Sequence, residues 1–186
     1  MKLHIFGASG SGVTTLGQLL ANKLCLKYFD SDDYFWIKTE PPFTHRREVN
    51  QRNQLIYEDI RQTENWILGG SIIHWGDNLF PDFDLVIFLY LPSEIRIERL
   101  KKRELERYGN VIYTDEKRAK QFNDFIAWAT DYDKETGLAN RTLKAHKAWL
   151  VQNQKPILEI IGDKTLDEKL KLILERLTDE RIVNNI

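Results

Sequence analysis

Three glycines placed directly after a short apolar stretch constrain this chain more than any other feature. Lys2-Leu3-His4-Ile5-Phe6 leads into Gly7-Ala8-Ser9-Gly10-Ser11-Gly12-Val13-Thr14-Thr15. Leu3 to Phe6 is short enough for a strand, and from Leu16 the apolar residues recur at helical spacing, at Leu19, Leu20 and Leu24. Strand, glycine loop, helix is the order that turns backbone amides toward an anion at a helix N-terminus, and the glycines remove the Cβ atoms that would stand in the way. From Gly7 to Thr14 the stretch fits G-x-x-x-x-G-K-[ST] at every fixed position but one, because Val13 stands where the lysine belongs. Thr14 falls where a hydroxyl holds Mg²⁺, and all nine residues from Gly7 to Thr15 are expected to line the phosphates of a nucleotide.

Two rival readings fit less well. A dinucleotide fingerprint G-x-G-x-x-G needs another register than the G-x-x-G-x-G found here. A turn that binds nothing would lose stability at three glycines without return. The absent lysine matters more, since in phosphoryl transfer that side chain supplies positive charge to a transition state stabilised almost wholly by electrostatics. Removing one comparable donor costs on the order of 10²–10³ in rate. Either other cations compensate, or the loop binds without fast turnover.

Composition bounds the rest. At 186 residues, 42% hydrophobic and 30% charged, residues 1–186 suffice for a single three-layer domain with a proper core. A net charge of −1 gives no global attraction to nucleic acid or anionic membranes, so anion binding must be local and the expected partner is a small molecule. The single cysteine, Cys25, excludes an intrachain disulfide and, between Leu24 and Leu26, reads as core. The short stretch Leu3 to Phe6 after Lys2 falls far short of a signal peptide, and no run has the length of a membrane span, so the cytoplasm is the expected location.

Tyr28-Phe29 reads as a second strand that delivers Asp30-Ser31-Asp32-Asp33 at its C-terminal end, the edge where ligands of open α/β sheets bind. Three carboxylates in four residues suit a Mg²⁺ shell or a base that takes a proton from an acceptor hydroxyl, with Asp32 the best single choice. The same residue types also favour solvated turns and helix caps. Tyr34-Phe35-Trp36 and Glu40-Pro41-Pro42-Phe43-Thr44 predict a loop or short helix walling an acceptor pocket. Arg46 and Arg47, ahead of a helix running through Asp59, can grip an anionic acceptor or serve as plain surface charge. Asn65 to Leu68 is a third strand ending in Gly69-Gly70-Ser71, small residues that permit close approach of a ligand or a neighbouring loop.

Asp84 to Leu91 is the clearest strand, nearly uninterrupted in apolar residues. Pro92 stops it, and Ser93 can cap a helix in which Ile95, Ile97 and Leu100 look inward while Arg99, Arg103 and Arg107 share one face. That face can supply the charge missing at Val13, or it can be a solvated surface paired with Glu94, Glu98, Glu104 and Glu106. Residues 109–140, with Gly109, Gly137 and a helix from Thr114-Asp115-Glu116, fit a mobile cover whose aromatic stripe, Phe122, Phe125 and Trp128, reads as packing within it. His146 reads as structural. Pro156 to Ile161 is a fifth strand, followed by the turn Gly162-Asp163-Lys164 and the capping box Thr165-x-x-Glu168; Asn184-Asn185-Ile186 should fray.

Five strands alternating with helices, the glycine loop on the first and an arginine helix after the fourth, resemble the adenylate kinase and shikimate kinase group of P-loop NTPases over nearly the whole chain. More narrowly, the chain is similar to small bacterial proteins labelled adenylate-kinase-like or topology-modulation-like, with a lysine-less Walker A loop. The resemblance implies an α/β/α fold around a five-stranded parallel sheet of order 2-3-1-4-5, with a helical lid, and ATP-dependent phosphoryl transfer with Mg²⁺ to a small-molecule or nucleotide acceptor. It implies that Arg99 and Arg103 serve ATP, that Arg141 clamps the transferring phosphoryl group and that Gly162 lies against the adenine. Thr14 and Asp30 would hold the metal, and Asp32 would be the base. Asp32, Asp33, Arg46, Arg47, Gly69, Gly70 and Ser71 would form the acceptor site, in a monomer or weak homodimer. The adenylate kinase acceptor signature is missing, so AMP is not implied. The alternative is a nucleotide-binding regulatory or interaction protein that has lost phosphotransfer with its lysine.

Overall fold

The computed structural model describes residues 1–76, 79–152 and 155–179, so the fraying expected for residues 184–186 lies outside the described residues. Strands β1 (Lys2–Gly7), β2 (Lys27–Asp30), β3 (Trp66–Gly69), β4 (Leu85–Tyr90) and β5 (Ile157–Ile161) form one sheet, parallel throughout, in the order β2-β3-β1-β4-β5. Helices α1 (Val13–Leu24), α2 (Ser31–Phe35), α3 (Val49–Arg61), α4 (Ser93–Tyr108), α5 (Val111–Thr114), α6 (Glu116–Lys134), α7 (Leu143–Gln152) and α8 (Leu166–Asp179) fill the intervals. β1 is central, and its side chains alternate between two cores. Leu3 and Ile5 join Leu16, Leu20, Ile87 and Ile173 on the α1 and α8 side. Phe6 joins Phe29, Ile56, Trp66, Phe88 and Leu150 on the other. Burial on both faces explains why β1 and β4 read as continuous apolar runs. No helix among the described residues is long and apolar enough to cross a membrane.

Register decides where the chemistry sits. Ile5 lies opposite Gly69 on one side and Ile87 on the other, and Gly69 lies opposite Asp30. The glycine loop, the acidic segment and the Gly69-Gly70 turn therefore leave the sheet at one edge.

Several local expectations need correction. Cys25 is exposed, because it ends α1 in a left-handed conformation (φ 55°) that turns it away from the core. Pro92, not Ser93, is the N-cap of α4. The buried stripe of α4 is Arg96, Leu100 and Glu104, whereas Ile95 and Ile97 are only half-buried. Gly69 and Gly70 admit the protein's own side chains. A Cβ at Gly69 would lie 1.9 Å from the Tyr28 hydroxyl, and one at Gly70 (φ 95°) would lie 1.9 Å from Ser31 Oγ. Gly70→Ala should therefore cost about 1–3 kcal/mol of stability by overpacking. Thermal unfolding should register this as a drop of about 2–4 °C per kcal/mol for a chain of this size; an unchanged melting temperature would show that the turn relaxes freely.

Ser71 is likewise structural. It is buried, and its hydroxyl lies 2.9 Å from His146 Nε2, while His146 Nδ1 lies 2.9 Å from the Tyr132 hydroxyl. Burial, reinforced by the Arg141 charge, pushes the His146 imidazole down to about 3, and burial pushes His4 down to about 4. Both rings are neutral in the fold, so between their unfolded value of 6.5 and these lower values the unfolded chain binds more protons. Stability should be intact above pH 6.5 and fall as pH drops below it, by up to about 1.4 kcal/mol per pH unit for each histidine. Urea titrations from pH 7 to pH 5 check this; His146→Gln should flatten the dependence, and an equal slope would remove His146 from the explanation.

Candidate active site

The loop after β1 is shaped by what lies under it. A Cβ at Gly7 would come within 2.4 Å of the Leu89 carbonyl oxygen, and one at Gly10 (φ 85°) within 2.9 Å of the Arg96 carbonyl oxygen, so Gly7 rests on the end of β4 and Gly10 on the first turn of α4. Gly12 (φ 93°) has open space where its Cβ would be. It is the N-cap of α1, gives no side-chain cap, and no acidic residue occupies the first turn. The first amide of α1 to reach back into the loop is Leu16, which donates to the Gly12 carbonyl at 3.0 Å. The helix start is thus left for an anion, whose charge the helix dipole favours. Val13 turns its side chain onto the core cluster around Leu16 and Leu20, continuing the apolar face of α1. This is why an aliphatic residue is tolerated at the position of the lysine.

At the rim of the loop, Thr14 Oγ1 donates to Asp30 Oδ2 at 3.0 Å, and the Tyr28 hydroxyl donates to the same oxygen at 3.3 Å. Asp30 Oδ1 accepts the Asp32 amide at 3.0 Å and caps α2. Asp30 therefore serves as a cap with one oxygen and faces Thr14 with the other. A hydroxyl and a carboxylate are hard donors that fit Mg²⁺. The acidic trio does not make a metal shell by itself: among the described residues no three His, Cys, Asp or Glu side chains gather closely enough to hold a metal.

A cleft of about 1090 Å³ opens beside this rim, lined in part by Ser9, Thr14, Asp30, Asp32 and Asp33. Asp32 is exposed to the cleft; crowding of its carboxyl by protein atoms, and next the neighbouring Asp30 charge, raise it to about 6 against the pull of Arg141 and Arg103. A carboxylate poised near neutrality at such an edge is suited to proton transfer. Arg141 reaches the cleft from the segment after α6. Asp131 fixes that segment by accepting the Thr136 amide at 2.7 Å, the Thr136 hydroxyl at 2.6 Å and the Ala139 amide at 2.8 Å. These bonds, that of the Thr136 hydroxyl first, hold the Asp131 carboxyl down at about 2.

The guanidinium of Arg141 stands 5.0 Å from the centre of the Phe35 ring, with Arg46 at 5.7 Å and Arg52 at 6.0 Å from the same ring. Burial lowers the Arg141 pKa, Asp32 opposes this, and Arg52 and Arg46 add to it. Among the described residues none of these three arginines forms an ion pair with a carboxylate. Arg52 and Trp75, 3.9 Å apart in a cation–π contact, escaped the sequence reading. The signal was present: Arg52 precedes Ile56 and Ile60 by four and eight residues on the buried face of α3.

Other expected site residues lie elsewhere. Arg47 is turned back into its own loop, where Nε donates to the Tyr34 carbonyl at 2.9 Å, so it does not line the cleft. Arg99 is also outside the cleft, paired at 2.6 Å with Asp163 beside Gly162, which removes it from the reacting centre. Arg103 and Arg107 do line the cleft, one on each side of Glu104, at 3.4 Å and 3.5 Å from its Oε1. The arginine face of α4 is therefore split along its length. From α6, Gln121, Phe122, Phe125 and Trp128 face the cleft, so the aromatic stripe is a wall of the site as well as packing within residues 109–140.

The family described as an AAA domain matches residues 4–122. The uncharacterized protein YqaC of Bacillus subtilis is 39% identical over 177 residues, covering 95% of this chain and 97% of its own. A shikimate kinase of Caldicellulosiruptor bescii is 31% identical over 116 residues, or 54% of this chain and 64% of its own. The solved structure of a deoxyadenosine kinase from M. mycoides with products dCMP and a flexible dCDP bound shares the fold at 18% identity, with a TM-score of 0.53 over 96% of this chain and 99% of that one. Sheet order, glycine loop and relatives agree, and the chain belongs to the AAA domain family, in the adenylate kinase and shikimate kinase-like group of P-loop NTPases.

Proposed function

We propose that this protein transfers the γ-phosphoryl group of ATP to a hydroxyl of a small anionic acceptor. The observation that carries the reading is the cleft that brings Asp32 together with the Thr14–Asp30 rim and with Arg141 and Arg103. The acceptor oxygen forms its bond to the γ-phosphorus as the bond to the β,γ-bridging oxygen breaks, ADP departs, and the hydroxyl proton goes to Asp32. Amides of residues 7–15 hold the phosphates, while Arg141 and Arg103 supply the charge that Val13 lacks. Arg46 and Arg52 receive the acceptor's anionic group, and Phe35, Trp36 and Trp128 exclude water. Arg99 and Gly162 border the nucleotide base. Thr14 and Asp30 are the residues to hold Mg²⁺, which when bound neutralises charge on the β- and γ-phosphates.

The test is ADP release from Mg²⁺–ATP across hydroxy acids, nucleosides and nucleotides, for the parent and for Val13→Lys. Turnover by the parent with one acceptor class supports transfer with compensating arginines. A parent that binds Mg²⁺–ATP yet is inert with every acceptor, beside an active Val13→Lys, contradicts the proposal and leaves a nucleotide-binding protein that has lost phosphotransfer.

A further inference from the structure

We propose that Arg96 is a positioning residue that turns the Gly10 amide to the outer face of the phosphate loop, where an anion would sit, and ties that loop to α6. The inference rests on the loop being a phosphate site, as proposed above.

Arg96 is 0% exposed, in the buried stripe of α4. Burying a guanidinium is costly unless every donor is answered. Here Nε donates to the Leu91 carbonyl at 3.1 Å, Nη1 donates to the Ser9 carbonyl at 3.1 Å and the Ala129 carbonyl at 3.4 Å, and Nη2 pairs with Asp133. The guanidinium also lies 5.0 Å from the centre of the Tyr132 ring. A packing role alone would be met by an aliphatic side chain in the same stripe as Leu100.

The link to the loop follows from peptide geometry. The only cis bond among the described residues is Glu40-Pro41, so the Ser9–Gly10 peptide is trans, and the Ser9 carbonyl and the Gly10 amide point in opposite directions. A Ser9 carbonyl held inward by Arg96 leaves the Gly10 amide directed outward. Ser9 lines the cleft, so the outer face of this turn borders the proposed ligand side. The Arg96 backbone fixes the same peptide from below, since its carbonyl oxygen would lie 2.9 Å from any Cβ at Gly10. In a loop without lysine, the directions of its amides carry more of the anion recognition. The same Nη1 also holds the Ala129 carbonyl and Nη2 holds Asp133, both on the helix that presents Phe125 and Trp128 to the cleft, so loop and cover share one cation.

The experiment uses the full chain labelled with ¹⁵N-glycine, titrated with inorganic tripolyphosphate and with ATP, as wild type and as Arg96→Lys. Lysine keeps the charge but cannot reach three carbonyls and a carboxylate at once. Wild type should show a downfield shift of the Gly10 amide proton on saturation. Arg96→Lys should lose most of that shift, keep those of Gly7 and Gly12, and bind tripolyphosphate at least tenfold more weakly. If Arg96→Lys does not fold, the double variant Arg96→Met with Asp133→Asn removes the donor to Ser9 without stranding a buried carboxylate and is judged by the same Gly10 signature. A folded variant with an unaltered Gly10 shift and affinity overturns the inference alone, as does an equal loss at all three glycines, which would mark general loosening. A wild type that binds neither probe overturns the phosphate-site reading and this inference with it.

Discussion

Replacing Asp32 by asparagine should lower turnover by about 10²–10⁴-fold, the usual contribution of a positioned base, while nucleotide affinity stays within a few-fold of wild type. The separation follows from the proposed roles: Asp32 would meet the acceptor, whereas Thr14 and Asp30, a hydroxyl and carboxylate paired at 3.0 Å, would meet the phosphates and the metal. A pH dependence accompanies it. The base works ionised; crowding by protein atoms, then the Asp30 charge, raise its carboxyl to about 6 in the metal-free protein, and Mg²⁺ held on Asp30 would pull it down, so kcat/KM should be level above about pH 7 and fall on an acidic limb centred no higher than about pH 6. Asp32→Asn should abolish that acidic limb along with the rate. Steady-state kinetics with the acceptor found by screening reads both effects. Unchanged turnover, or an acidic limb that survives in the variant, would take Asp32 out of the reaction.

Arg141→Ala should slow the chemical step by about 10³-fold or more, the range observed when an arginine that stabilises a transferring phosphoryl group is removed. The effect should lie at the upper end for this fold because Val13 leaves the loop without its own cation. Arg141→Lys should recover little, since an ammonium lacks the planar fork that grips phosphate oxygens and would lose the stacking on Phe35. Single-turnover measurement separates this from weakened binding. If Arg141→Ala changes only the acceptor KM, the arginine belongs to the acceptor's anionic group, and Arg103 must carry the transition-state charge.

Much of this arrangement was legible from residue pattern. The strands declared themselves because burial on both faces makes parallel strands apolar throughout, and the glycine loop because few residues allow backbone amides to converge. The capping box was also plain, with the Thr165 amide donating to Glu168 Oε2 at 2.7 Å and the Glu168 amide to Thr165 Oγ1 at 3.2 Å. What failed depended on partners distant in sequence. Glycines at a strand end look alike whether they admit a ligand or, as at Gly69 and Gly70, the chain's own Tyr28 and Ser31. The bond between Ser71 and His146 joins positions 75 residues apart. In α4 the row of arginines hid a change of role. Assigning Ile95 and Ile97 to the interior set the helical phase wrongly, and the correct phase buries Arg96, leaves Arg99 at the rim and brings Arg103 and Arg107 to the cleft. Cys25 was misjudged because composition does not reveal the left-handed residue that ends a helix.

The most direct measurement is a crystal structure grown with Mg²⁺ and a non-hydrolysable ATP analogue. The β- and γ-phosphates should lie against the amides of residues 7–15, with the metal on Thr14 Oγ1 and Asp30 and with Arg141 or Arg103 reaching the γ-phosphate. A nucleotide bound elsewhere, or a loop left empty at millimolar analogue, would contradict the central claim that this lysine-less loop holds the phosphates of ATP.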